Sequence, residues 1–185
     1  MPASRRRPAK RQPGLVHIYT GTGKGKTTAA WGLVLRAAGH GWPVKVIEFI
    51  KGPRATGEHP AARRLGRRIS IETCGLGFFF GRSAAETARH RAAAERALTR
   101  AAAALASGRW RLVVLDEAAG AVALRLIRTA DLVRALRGRA PGVEAVVTGR
   151  GAPAALCRVA DYVTEMRAVR HPQDRGIGGR EGIEF

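Results

Sequence analysis

The plainest chemistry in the chain is carried by eight consecutive residues, Gly21-Thr22-Gly23-Lys24-Gly25-Lys26-Thr27-Thr28. Glycines let the backbone curl so that successive N–H groups point at one anion. A helix beginning at Lys26 adds the partial positive charge of its N-terminus. Lys26 brings an ammonium to phosphate oxygens, and Thr27 offers a hydroxyl to Mg²⁺. The usual phosphate-loop pattern has glycine four residues before Gly-Lys-Thr; Thr20 stands there and the loop glycine follows at Gly21, so this is a variant of that motif. A second chemical pair, Asp116-Glu117, follows the apolar run Leu112-Val113-Val114-Leu115. Carboxylates at a strand end hold Mg²⁺ directly or through water, and these two would face Thr27 across the loop. Together the two motifs describe a site for a nucleoside triphosphate and its metal, with Thr27, Asp116 and Glu117 as candidate metal residues. They do not choose a reaction.

Strands and helices alternate around these motifs. Leu15–Tyr19 reads as a buried strand, Lys26–Ala38 as a helix stopped by Gly39 or Gly41, and Val44–Phe49 as the second strand. Residues 51–68 are irregular and basic, with room for one short helix, and Ile69–Glu72 is a third strand. Ser83-Ala84-Ala85-Glu86 has capping-box spacing and opens a long Ala-rich helix to about Ser107. Strands at 112–115 and 143–147, a helix over 129–137, a short helix after Pro153 and a strand near Tyr162-Val163 complete the pattern. The tail from His171 reads as loop. The expected fold is α/β, P-loop NTPase-like, a mainly parallel sheet with helices on both faces. Ligands in such folds bind beyond the carboxyl ends of the strands, where both motifs lie.

Residues 1–14 read as a flexible basic tail and 15–185 as a single folded domain. Net charge is +19, of which Arg5, Arg6, Arg7, Lys10 and Arg11 contribute five, leaving +14 on the rest. That balance raises affinity for polyanions of any kind. An aromatic content of 5% leaves little for a base-stacking platform, so nucleic acid is not the expected partner. No apolar run approaches the roughly 20 residues that span a bilayer, and the N-terminus lacks the apolar stretch of a secretory signal. Cys74 and Cys157 stand in unrelated contexts and suggest neither disulfide framework nor zinc site. The expectation is a cytoplasmic protein without membrane contact.

What narrows the reaction is a resemblance. The run Gly21–Gly32, with Ala37-Ala38-Gly39-His40-Gly41 and Phe49-Ile50-Lys51-Gly52, resembles the P-loop corrinoid adenosyltransferases. It continues through Gly75-Leu76-Gly77-Phe78, Val114–Glu117, Thr148-Gly149-Arg150, Ala160–Arg167 and Val169–Pro172 to the terminal Gly182-Ile183-Glu184-Phe185. The short pieces are weak separately, but their order and spacing together are specific. The resemblance implies that Co(I) of a corrinoid (cobalamin or a precursor) attacks the 5′ carbon of ATP and expels triphosphate. Gly21–Thr28 would hold ATP, with Arg150 beside it. Lys26 and Mg²⁺, the latter on Thr27 and Glu117, would neutralise the leaving group as the catalytic elements. Asp116 would stand behind Glu117, and Phe78 and Phe80 would meet the corrinoid, displacing its lower axial base. The same resemblance implies a homodimer and a separate reductase for cobalt.

Departures from the family pattern fall on the corrinoid half. Phe80 replaces a tryptophan, Glu48 replaces a glutamine, and Ala118-Ala119-Gly120 replaces a leucine followed by an Asn/Thr-Tyr pair. These leave two alternatives beside the transferase: a P-loop ATPase working on a nucleic-acid or protein partner, and a divergent corrinoid-binding homologue with weak turnover. Among the histidines, His17 reads as a satisfied core residue and His40 as part of a helix-ending turn, while His171 is a minor site candidate.

Overall fold

The computed structural model describes residues 13–52 and 56–185; the basic cluster Arg5–Arg11 lies outside them. Six strands form one sheet: β1 Val16–Thr20, β2 Val44–Glu48, β3 Ile69–Thr73, β4 Leu112–Asp116, β5 Glu144–Thr148 and β6 Tyr162–Glu165. Every pairing is parallel and the order is β3-β2-β4-β5-β1-β6. The expected fold class is therefore met. Boundaries sit within one or two residues of those read from the sequence. All strands point one way, so their carboxyl ends gather along one edge.

The apolar residues of the strands alternate between two cores, as a period of two requires. Val44, Val46, Leu112, Val114 and Val146 meet α1, Lys26–Gly39, through its buried Ala30, Val34 and Ala37. Ile47, Phe49, Val113, Leu115, Ala145 and Val147 form the opposite core with α3, Ala84–Ala106, and with α5, Thr129–Arg137. Alanines on one face of α3, among them Ala94, Ala97 and Ala101, allow close approach to the sheet. Ser83 caps α3 by accepting from the Glu86 N–H at 3.0 Å. The Glu86 carboxylate reaches back past the cap, to the N–H groups of Phe80 and Arg82. The capping-box spacing thus ties the aromatic loop to the helix instead of closing on Ser83 itself.

Remaining helices are α2, Glu58–Leu65, α4, Ala118–Ala123, and α6, Ala154–Cys157; a 3₁₀ turn at Pro172–Arg175 interrupts the tail. No helix among the described residues is long and apolar enough to cross a membrane.

Candidate active site

The turn between β1 and α1 is built as the sequence requires. Gly21 has φ 97° and Gly25 φ 116°, conformations that L side chains rarely adopt. Space is as strict as torsion: a Cβ on Gly21 would stand 2.4 Å from the Met166 carbonyl oxygen. Gly23 donates its N–H to that oxygen at 2.6 Å, so the segment after β6 forms one wall of the loop.

Lys26 is the first residue of α1 and is buried. Its Nζ curls back to donate to the carbonyls of Gly21 at 2.9 Å and Gly23 at 2.7 Å. Burial lowers its pKa, Glu117 opposes that shift and Arg150 adds to it. An ammonium held by neutral carbonyls is available to a stronger acceptor, and phosphate is such an acceptor.

Across the loop, the stripe of β-strand residues facing α1 changes character at the carboxyl ends. Val44 and Val46 give way to Glu48 in β2, Leu112 and Val114 to Asp116 in β4, and Val146 to Thr148 in β5. All three polar residues are buried, at 1%, 0% and 0% exposure. Asp116 Oδ1 accepts from Thr27 Oγ1 at 2.9 Å and from Thr148 Oγ1 at 2.6 Å. Its Oδ2 stands 3.2 Å from the Lys51 ammonium, which also lies 3.4 Å from Glu48 Oε1. Glu48 is further held by Thr73 Oγ1 at 2.5 Å and His59 Nε2 at 3.1 Å. Burial alone would lower the Lys51 pKa, but Asp116, Glu48 and Glu58 outweigh it and hold the group above its ordinary value.

Glu117 adopts a left-handed conformation, φ 60°, and its N–H donates to Thr148 Oγ1 at 2.9 Å. That turn directs the side chain into the open cavity while Asp116 stays in the wall. Burial and the neighbouring Asp116 raise the Glu117 pKa; Lys26, Lys51 and Arg150 oppose them. Oε2 occupies the space beside Gly120, where a Cβ would come within 2.6 Å of it.

The cavity measures about 590 Å³, large enough for a nucleotide. Residues Gly23–Thr28, Glu117 and Arg150 line it, so most of the phosphate loop, one acid of the pair and Arg150 share one cavity. Gly21, Thr22 and Asp116 do not line it. Neither do Phe78 and Phe80, which are 86% and 64% exposed with ring centroids 6.3 Å apart. Between them Phe79 turns inward, against the core and the ring of His90 at 5.1 Å. The aromatic loop nevertheless adjoins the cavity, since Gly75 and Gly77 pack on the backbone of Ile50–Gly52 beside Lys51.

Several cavity residues were not picked out as site candidates from the sequence: Trp31, Lys51, Glu58 and the terminal Gly182–Phe185. His171 lines the cavity, whereas His17 bonds Glu144 at 2.6 Å and stacks on Tyr162, a satisfied role as expected. The Lys24 ammonium donates to the Ile183 carbonyl at 2.6 Å and lies 3.7 Å from Glu184. Glu184 is itself clasped by Arg180, whose side chain and N–H hold its carboxyl down at about 2. Among the described residues no group of three or more His, Cys, Asp or Glu side chains is arranged to cage a metal.

Comparison with known proteins agrees with this geometry. Residues 12–185 match the family model of the ATP:corrinoid adenosyltransferases BtuR/CobO/CobP. A corrinoid adenosyltransferase of Pseudomonas aeruginosa is 38% identical over 177 residues, spanning 96% of this chain and 86% of the relative. One from Sinorhizobium is 39% identical over 176 residues, spanning 94% and 81%. A third, from Salmonella typhimurium, is 33% identical over 177 residues, spanning 96% and 88%. With the family model matching residues 12–185 and relatives 33–39% identical over most of its length, the chain belongs to the ATP:corrinoid adenosyltransferase family.

Proposed function

We propose that the chain transfers the 5′-deoxyadenosyl group of ATP to the Co(I) of a corrinoid, releasing triphosphate. The observation that carries this is the loop itself: a buried Lys26 ammonium parked on two carbonyls, above a Thr27 hydroxyl fixed by Asp116. In the reaction the cobalt electron pair forms the Co–C bond while the C5′–O bond breaks, its electrons leaving with triphosphate. Negative charge therefore grows on the phosphate side. Lys26 exchanges the Gly21 and Gly23 carbonyls for phosphate oxygens, and the N–H groups of Gly23–Thr28 hold the same chain of phosphates. Arg150, exposed at the cavity rim, adds a second charge there.

The donor set fits a small hard cation shared with the nucleotide: a Thr27 hydroxyl, the cavity-facing carboxylate of Glu117, and Asp116 behind them, with no full cage among the described residues. Mg²⁺ bound there supplies charge neutralisation at the leaving phosphates. Asp116, held at Oδ1 by Thr27 and Thr148 and paired at Oδ2 with Lys51, orients; Glu117, turned into the cavity, is the direct ligand.

Phe78 and Phe80 serve the corrinoid. Two exposed rings on a loop adjoining the cavity offer an apolar face that excludes water and the lower axial base. The same reading includes a cytoplasmic homodimer and a separate reductase delivering Co(I). Among the described residues no strand pairs with the outer edge of β6, where Tyr162 and Val163 are half exposed, the kind of surface a second subunit covers.

The test is to mix the protein with Mg-ATP and chemically reduced corrinoid, following the Co–C absorption spectrum and the phosphate product. Stoichiometric triphosphate with the Co–C spectrum is expected. ADP and phosphate without it would mean a hydrolase; corrinoid binding without either product would mean a carrier.

A further inference from the structure

Glu48 and Asp116 are register partners on adjacent parallel strands, both on the face toward α1 and both essentially dry. Two like charges placed opposite one another on a sheet repel, and burial strengthens the repulsion. Where the family resemblance leads one to expect glutamine at position 48, this chain has a second carboxylate. One cation answers both: Lys51 Nζ, 3.4 Å from Glu48 Oε1 and 3.2 Å from Asp116 Oδ2. Among the described residues no hydrogen bond of good geometry reaches Asp116 Oδ2, and the Lys51 ammonium is the counter-charge beside it. Oδ1 of the same carboxylate already carries Thr27, and Lys51 itself lines the nucleotide cavity.

Resting on the metal reading given above, we propose that Lys51 is an internal counter-cation that closes the divalent-cation site until nucleotide arrives. It neutralises Asp116 in the empty protein. When ATP brings its cation to Thr27 and Glu117, Lys51 gives up Asp116 and retains Glu48. The second carboxylate is what gives the ammonium somewhere to go. His59 and Thr73 anchor Glu48 from the far side, so the acceptor stays in place while Lys51 moves. The device makes metal binding depend on nucleotide, so that a bare divalent cation does not settle among the buried acids.

Mn²⁺ as a probe tests this through its electron paramagnetic resonance signal, with and without ATP and with no corrinoid present. Wild-type protein should bind Mn²⁺ weakly alone and much more tightly with ATP. Lys51→Met should bind Mn²⁺ without nucleotide on the order of tenfold or more tightly than wild type, the scale of coupling expected between mutually exclusive occupants. Lys51→Arg, which keeps the charge, should not, and Lys51→Met with Asp116→Asn should lose the gain. Lys51→Met leaves two buried acids unneutralised and is expected to melt early. Its melting temperature should then rise on adding Mn²⁺ alone, by more than that of wild type. Unchanged nucleotide-free Mn²⁺ affinity and melting response in Lys51→Met would overturn the counter-cation, even with ATP-dependent Mn²⁺ binding intact in wild type. Failure of wild type to bind Mn²⁺ with ATP would instead overturn the metal reading on which it rests.

Discussion

Lys26 is buried yet, among the described residues, bonded to carbonyls of its own loop alone, an arrangement that makes sense for a charge awaiting an anion. Lys26→Ala should lower turnover roughly 10²–10³-fold, as removal of one preorganised charge stabiliser does elsewhere. Steady-state kinetics with saturating corrinoid checks it, and wild-type rates would remove Lys26 from the chemistry. The two acids should separate cleanly. Asp116→Asn breaks a buried pair with Lys51 and should cost about 3 kcal/mol in urea unfolding, the low end for such pairs, because Lys51 keeps Glu48. Glu117→Gln should act on Mg²⁺ dependence more than on fold. Its effect on stability has a definite sign. A carboxyl whose pKa is raised by burial holds its proton more tightly in the folded state, so its contribution is present at acid pH. That contribution is lost as pH rises from the ordinary glutamate value, 4.5, through the folded one. Nucleotide-free Glu117→Gln should therefore melt a few degrees above wild type at neutral pH, with the gap closing toward pH 4. A melting curve series across that range decides it; a gap that widens on acidification would contradict the assignment.

At the scale of elements, the phenylalanine run divides its labour by alternation. Phe80→Ala should leave melting temperature and ATP affinity nearly unchanged while weakening corrinoid binding. Phe79→Ala should cost about 3 kcal/mol, since its ring packs on the core and on His90. Calorimetry and corrinoid titration on the two variants check this, and a reversed pattern would move the corrinoid elsewhere. Strands with strong apolar alternation, and helices with caps such as Ser83, were legible from sequence. Helix α4 was not, because Ala118–Val122 is buried all round and small throughout, which erases the 3.6-residue period that betrays an amphipathic helix. The phosphate loop was legible because its residues are contiguous. Glu48, Lys51 and His59 were not, because they join the site through a strand order that places β2 beside β4. Lys51 sat in a recognised motif without any local sign that it faces Asp116.

For the molecule as a whole, charge dominates what lies outside the site. Removing residues 1–12 takes away five positive charges and should flatten the salt dependence of non-specific polyanion binding, with little change in melting temperature. Filter binding to a random oligonucleotide at several salt concentrations measures it. Loss of corrinoid turnover in the same truncation would instead give the segment a part in the active site.

The nucleotide loop is walled partly by residues far from it in sequence, through the Lys24 contact with Ile183 and the lining by Gly182–Phe185. Chains are made from the amino end, so the phosphate loop emerges from the ribosome well before residues 182–185, which supply part of its wall. A nascent chain that has not yet exposed those residues lacks that part of the wall, however early its sheet forms. The same geometry rules on laboratory practice: bulk attached beside Phe185 stands at the mouth of the nucleotide cavity, so purification handles belong away from that residue.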